Sequence, residues 1–434
     1  PAGDAHLAPT SGRRHETYRT FINREGPVFT LIRIALRNVL RNRRRSLITL
    51  SAVFLAVGIM TMVRGVLNGL QASIREAVIA TQTGALQVHK KGFSKSLQAP
   101  IDLDLPADEA FLGKIRAVPG VVEVAPRIPF GGMVNANDKT VFSLFQALDP
   151  VREPRVCPQR WDVLGEGTPL DAKVEDGAAI SDELLKRLGV ALGGGAALLT
   201  NNKDGTLGAV DVKATGRLGS TALPLPDQRV VFVPLALAQK LLLMEGRATE
   251  LVVSVRDVSQ VDAIARAVQA ALGDEYEVQT WRELAPFVDD VIRLQNIMLT
   301  IIAGIFGLIA LVGIAVTMLM NVLERIREVG TMMALGVRRQ QILVMFLFES
   351  MLLGIAGVVS GGGAGGAFVL WFGGSAGMKI PIPGTGKPLL IHTFVTAPYV
   401  LAVLVVAALG ATAAASLPAW WASRLRPVEA LAHA

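Results

Sequence analysis

The sequence predicts a membrane α-helical protein with four transmembrane helices and an α+β extracytoplasmic domain inserted between helices 1 and 2. Three observations lead there. The chain is 51% apolar with a mean hydropathy of +0.45, high for a soluble protein of 434 residues. Its apolar residues are clumped into four windows almost free of charge: Leu47–Val63, Leu294–Leu323, Ser350–Met378 and Thr393–Ser423. About 230 residues of ordinary globular composition separate the first window from the second. Roughly 20 apolar residues cross a bilayer core. The last three windows exceed that length, and the first continues past Arg64, whose stem can lift its guanidinium to the headgroups.

Residues 1–30 are polar and mixed, a flexible cytoplasmic tail. The start at Pro1 rather than Met fits a numbering that begins inside a longer precursor. Residues 31–46, "LIRIALRNVLRNRRRS", alternate at helical spacing. Ile32, Ala35, Leu36, Val39 and Leu40 share one face, and Arg33, Arg37, Arg41 and Arg45 share another. Such a helix lies in the headgroup layer with its basic side toward anionic lipid. Residues 47–82 form transmembrane helix 1 and a stalk, since the row Val66, Leu70, Ile74, Val78 carries the helical period beyond the apolar window.

Residues 83–280 read as the extracytoplasmic domain. "ALQVHKK" is a strand, "DEAFLGKIRAV" a helix, and "VVEVAPRIPFGGMVN" and "TVFSLFQAL" are strands. "ELVVSVRD", "SQVDAIARAVQAAL" and "YEVQTW" repeat the strand–helix–strand order. Two such units predict a split sheet with helices on one face, built from residues 83–148 and 234–280. Residues 149–233, rich in glycine, proline and short strands, predict a second, mainly β subdomain with an exposed loop at "STALPLPDQ". Residues 281–323 give a second stalk and transmembrane helix 2. A charged segment at 324–341 follows, then helix 3 at 342–373, a loop at 374–395, helix 4 at 396–423 and a short tail at 424–434.

Charge sets the orientation. Residues 64–293 hold 25 Lys and Arg against 29 Asp and Glu, whereas the remainder holds 18 against 7. Basic residues near the ends of spans mark the cytoplasmic side. Arginines cluster before helix 1, between helices 2 and 3, and after helix 4, so both termini and the charged segment face the cytoplasm and the large domain faces the periplasm. Trp420 and Trp421 fit the inner aromatic belt. Because the arginines abut spans and form no basic globular face, nucleic acid is not an expected partner.

Catalytic patterns are not found. No GxxxxGK[ST] phosphate loop occurs. "GGGAGG" at 361–366 lies inside a span, where Gly357, Gly361 and Gly365 at intervals of four predict close helix packing. "GGSAG" at 373–377 sits at a span end without the strand that a nucleophile elbow needs. The five histidines have no metal-ligand spacing, Asp289 and Asp290 read as a solvated stalk surface, and Cys157 as a small core residue. Glu349 lies about two turns into helix 3, where an ionisable group is costly; pairing with a nearby arginine is the first expectation, a substrate or proton route the second.

The charged segment itself, "ERIREVGTMMALGVRRQQ", predicts a short helix under the membrane. Ile326, Val329 and Met333 lie on one face, with Arg325, Glu328 and Met332 on another, and Gly336 stops the helix. Read together with the following "ILVMFLFESMLLGIAGVVSG", it resembles the pattern of MacB-like and FtsX-like permeases, the type VII ABC transporters. "ALRNVLRNRRRSLITLSAVFLAVG" and "GALQVHKKGF" are similar to the lipoprotein-releasing branch of that family.

The resemblance implies that a separate ATPase dimer binds ATP and Mg under the membrane, with no cofactor in this chain. Two permease subunits, identical or not, would pass its closure through the stalks to the periplasmic domains. Glu324, Arg325, Arg327, Glu328, Gly330, Ala334 and Gly336, with Arg338 and Arg339, would mark the ATPase-docking helix. A periplasmic carrier or adaptor protein and membrane lipids are the further partners implied. Cargo stays open between lipoproteins or lipid-like molecules, antibiotics or peptides in tripartite efflux, and regulation of a cell-wall hydrolase.

Overall fold

The computed structural model describes residues 43–96, 101–219, 229–373, 377–380 and 389–424. Two units emerge, one helical and one mainly β. The elements run in chain order as α1 (Arg43–Val78), β1 (Leu86–Lys90), β2 (Leu105–Pro106), α2 (Glu109–Arg116), β3 (Val121–Ala136), β4 (Lys139–Leu148), α3 (Glu153–Val156), β5 (Leu164–Gly167), β6 (Gly177–Ser181) and α4 (Asp182–Leu188). Next come β7 (Gly195–Asn201), β8 (Leu207–Leu218), β9 (Val230–Pro234), α5 (Leu235–Leu242), β10 (Arg247–Ala248), β11 (Glu250–Val255), α6 (Val261–Leu272) and β12 (Tyr276–Thr280). The chain ends with α7 (Trp281–Leu284), α8 (Pro286–Glu324), α9 (Ile326–Ala334), α10 (Arg339–Phe372), β13 (Met378–Ile380), β14 (Leu389–Ile391) and α11 (Ala397–Ser423).

In the helical unit, four helices are long and apolar enough to cross a membrane: 46–83, α8, α10 and α11. Val53, Ile314, Val358 and Ala411, one from each, meet in a single buried cluster. A helix bundle in lipid gains little from apolar transfer and relies on close packing. The glycines of α10 supply it. A Cβ on Gly357 would lie 2.6 Å from Val53 Cγ1, and one on Gly365 would lie 2.5 Å from the Gly58 carbonyl oxygen. Gly58 returns the contact, its own absent Cβ falling 3.2 Å from Gly361 O. Along α8, by contrast, Ile301, Ile305, Leu308 and Ile309 are exposed, as a lipid-facing surface requires. Arg64 differs from the expectation of a snorkelling side chain: its Nη1 donates to Asn296 Oδ1 at 2.7 Å, because α8 supplies a polar partner at that level.

The inserted domain is organised by β3, which is long enough to serve two structures. Its first half pairs with β11 in the order β12-β1-β11-β3, all antiparallel, with α2 and α6 packed together as the predicted helical layer. Its second half pairs with β4 and also with β7. From β4 the ladder continues through β9, β6 and β8 and returns to β7, so six strands close into a barrel. The boundary between split sheet and β-rich part therefore falls inside β3, not at residues 148/149 and 233/234. A sixteen-residue strand exceeds what either half needs, and its surplus seeds the second structure.

Two further departures concern the stalks and the 374–395 loop. Stalk 2 is not continuous from residue 281: α7, capped by Thr280 and Glu283, ends at Leu284, Ala285 leaves helical geometry, and Pro286 opens α8. Proline lacks a backbone N–H and fits the first turn of a helix, which suits Pro286 to open α8 after the break. The loop holds the antiparallel pair β13 and β14, and the Leu390 carbonyl accepts from Ser73 Oγ at 2.9 Å. The ends of α1 and α8 are built into the domain, since Val78 and Val288 are fully buried in its core with Ile74 and Ile292 beside them.

Candidate functional site

The charged segment is α9 and its flanks. The α8 helix ends at Glu324, and Arg325 leaves helical geometry at φ −107° and ψ 15°, turning the chain before α9 begins. Val329 and Gly330 are buried, and Val329 packs with Met318, Val322, Ile342 and Phe346. Met332 and Met333 both lean on this cluster, so Met332 belongs to the apolar face and not to the charged face predicted for it. At the far end, Gly336 adopts φ +91°, a conformation that favours glycine. Its N–H donates to Met333 O at 3.1 Å and that of Val337 to Met332 O at 3.0 Å, closing the helix with a glycine cap. Arg338 then caps α10, its N–H bonded to Gln341 Oε1 at 2.9 Å. The helix 3 boundary thus moves from 342 to 339.

This packing turns the remaining side chains outward. Glu324, Arg327, Glu328, Thr331, Ala334, Gly336, Arg338 and Arg339 are exposed, and among them Leu335 is 86% exposed. Leu335 is thus a large apolar side chain held out among charged ones. Sequence reasoning missed Leu335. Its signal was present: two positions past Met333, Leu335 falls about 200° round the helix from the apolar stripe.

Arg325 links this surface to the interior. Its Nε donates to Glu328 Oε2 at 2.8 Å, and its Nη1 lies 3.9 Å from Glu349 Oε2. Glu349 is buried on α10, ten residues beyond Arg339 and deeper than two turns, and this oxygen has no hydrogen-bond partner. Trp420 and Trp421 are exposed at the end of α11, with the Arg424 guanidinium 4.1 Å above the Trp420 ring. Arg33, Arg37 and Arg41 lie outside the described residues, as does the "STALPLPDQ" loop, and Arg45 is placed only as a backbone position in α1.

A second feature lies on the barrel. A cleft of about 330 Å³ is lined by Ile101, Phe130, Met133, Phe142, Leu199 and Leu207, with Thr200 and Asn201 at its polar side. Met133 and Phe142 are each half exposed around it. Among the described residues, no group of three His, Cys, Asp or Glu side chains could hold a metal ion.

Comparison with known proteins matches residues 46–271 to the MacB-like periplasmic core domain and residues 300–426 to the FtsX-like permease C-terminal domain. The chain is 27% identical over 428 residues to the macrolide export ATP-binding/permease protein MacB of Nitrobacter winogradskyi, covering 94% of this chain and 61% of that one. It is 31% identical over 140 residues to an uncharacterized ABC transporter permease of Methanocaldococcus jannaschii, 31% of this chain and 35% of that one. The chain therefore spans less than two thirds of these relatives. Among solved structures, the periplasmic region of MacB from Actinobacillus actinomycetemcomitans is 10% identical with a TM-score of 0.35, covering 49% of this chain and 95% of that one.

Proposed function

The chain belongs to the MacB-like and FtsX-like family of ABC transporter permeases, and from that premise we propose that it is a permease subunit driven by ATP hydrolysis in a separate ATPase dimer. One observation carries the reading. The α9 helix is pinned to the helical unit by Val329, Met332 and Met333 and offers Glu324, Arg327, Glu328, Ala334, Leu335, Arg338 and Arg339 outward, which suits docking in a cleft on a moving partner. Arginines at this end, with Arg424, support a cytoplasmic placement and an inner-membrane location.

The work done on α9 needs a path to the inserted domain. At 1.5 Å per residue, α1 and α8 are roughly 54 and 58 Å long, against a bilayer core of about 30 Å. Each carries buried residues in both hydrophobic cores: Val53 and Val78 on α1, Ile314 and Val288 on α8. Such helices act as levers, so cargo need not cross the bilayer. A second permease subunit completes the pair of levers. Lipoprotein or lipid-like cargo, released toward a periplasmic carrier, is supported by the N-terminal resemblance and by the apolar cleft on the barrel. Export of antibiotics or peptides through an adaptor is the second reading, supported by relatives described as macrolide exporters.

The test uses the ATPase that co-purifies with the chain in detergent. Leu335→Ser, and separately Arg327→Glu, both at exposed positions, should leave insertion intact. Each should weaken ATPase association by roughly tenfold or more, the loss typical of a docking hot spot. Unchanged association and unchanged ATPase stimulation in both would remove α9 from the docking site.

A further inference from the structure

The inserted domain hides a cluster of charge. Arg127, Glu153 and Arg160 are almost solvent-free. Arg127 grips the carboxylate with two prongs, Nη2 to Oε1 at 2.7 Å and Nε to Oε2 at 3.0 Å. Arg160 Nε lies 2.6 Å from the same carboxylate as an ion pair. Burial alone would raise the Glu153 pKa, but the two guanidiniums outweigh it and hold the group below the ordinary carboxylate value. Two cations thus face one anion, and the surplus positive charge needs a further acceptor.

The end of α1 supplies it. Past Val78 the helix widens into a π-helical turn, Ile79–Thr83, which Gly84 ends at φ 64°. The last carbonyls of a helix lack partners and carry the negative end of its dipole. Here Gln82 O accepts from Arg127 Nη1 at 2.6 Å and from Arg160 Nη2 at 2.9 Å. Ala80 O accepts from the Gln159 N–H at 3.0 Å, and Ile79 O from Cys157 Sγ at 3.4 Å. The other end of the clamp is equally placed. Arg127 is the β3 residue that pairs both with Glu250 of β11 and with Leu148 of β4, the point where split sheet and barrel share a strand.

We propose that Arg127, Glu153 and Arg160 form the joint through which movement of α1 reaches the inserted domain. This rests on the lever reading above. These are positioning residues: they fix the rotation and the axial position of the helix end relative to β3. Charge-assisted, two-pronged bonds are directional and resist twist as well as pull. Apolar packing alone holds a helix end without specifying its rotation, and retaining a buried ionic cluster where apolar residues would pack as well fits a demand for one geometry.

The experiment uses the full chain with its co-purified ATPase in lipid nanodiscs. Spin-label pairs between Ser51→Cys on α1 and Leu207→Cys on the barrel report distance with ADP and with trapped ATP, Cys157 being buried. The triple variant Arg127→Met, Glu153→Leu, Arg160→Met should keep the domain's melting temperature and lose the nucleotide-dependent distance change. A change equal to that of the parent chain overturns the joint alone. A parent chain with no change overturns the lever reading and the joint with it. Hydrogen exchange on the unsubstituted chain reads the joint without any variant. Residues 79–84 and 153–160 should stay protected in both nucleotide states, and opening of either segment in one state overturns the proposal.

Discussion

Replacing Gly361 by alanine tests the packing of the helical unit most directly. A Cβ at this position would fall 2.9 Å from Phe54 Cα and nearer still to the Phe54 carbonyl oxygen. Both are backbone atoms, so no rotamer change relieves the clash, and α1 and α10 must separate. Separation also loosens the contacts at Gly357 and Gly365 on the same stripe. Overpacking of this kind costs about 1–3 kcal/mol, offset by the roughly 1 kcal/mol by which alanine favours a helix over glycine. Gly363 supplies the control, because it is exposed on the same helix with open space around its missing Cβ. Gly363→Ala should be neutral or stabilising by up to about 1 kcal/mol. The difference between the two variants therefore isolates the contact at about 1–3 kcal/mol. Unfolding by SDS titration in mixed micelles measures it, and equal midpoints for the two alanine variants would refute the packing argument.

Two predictions concern the inserted domain. Asp104 is buried and binds Lys203 Nζ at 2.9 Å together with Arg247 Nε, tying the β2 segment to the β7–β8 turn and to β10. Burial would raise its pKa, but Lys203 and Arg247 hold it below the ordinary value. A fully buried broken pair costs about 3–5 kcal/mol. Because both cations are more than a third exposed, Asp104→Asn should cost about 1–2 kcal/mol after solvent screening, and a urea midpoint unmoved from the parent chain's would count against the tie. His89 titrates in the other direction of interest. Burial lowers its pKa from 6.5, against the opposing pull of Glu250, the Thr249 carbonyl and Glu277. Below pH 6.5 the unfolded chain takes up a proton that the folded domain resists, so stability falls as pH falls, by at most about 1.4 kcal/mol per pH unit. Domain melting between pH 7 and 5 should slope less in His89→Gln, and identical slopes would dismiss His89 as the titrating group.

Much of this protein is written in local pattern. The four spans follow from runs of apolar residues, because a bilayer selects on length and hydropathy alone. The helix α9, its stop at Gly336 and the strand–helix–strand units around "DEAFLGKIRAV" and "SQVDAIARAVQAAL" follow from periods and caps that operate within a few residues. Tertiary structure decided what those elements meet. β3 reads as one strand, but only its neighbours show that half belongs to a sheet and half to a barrel. The stripe of Gly357, Gly361 and Gly365 announces close packing, yet its partner, α1 at Val53, Phe54 and Gly58, had to be shown. Arg127, Glu153 and Arg160 carried no signal at all, since the two arginines meet at the Gln82 carbonyl, far back in the chain, and at the Glu153 carboxylate between them. Solvent and backbone sterics act on neighbours in sequence and so leave a readable trace. A hydrogen bond between distant segments depends on the whole path of the chain, and the residues at its ends look like any other arginine or glutamate.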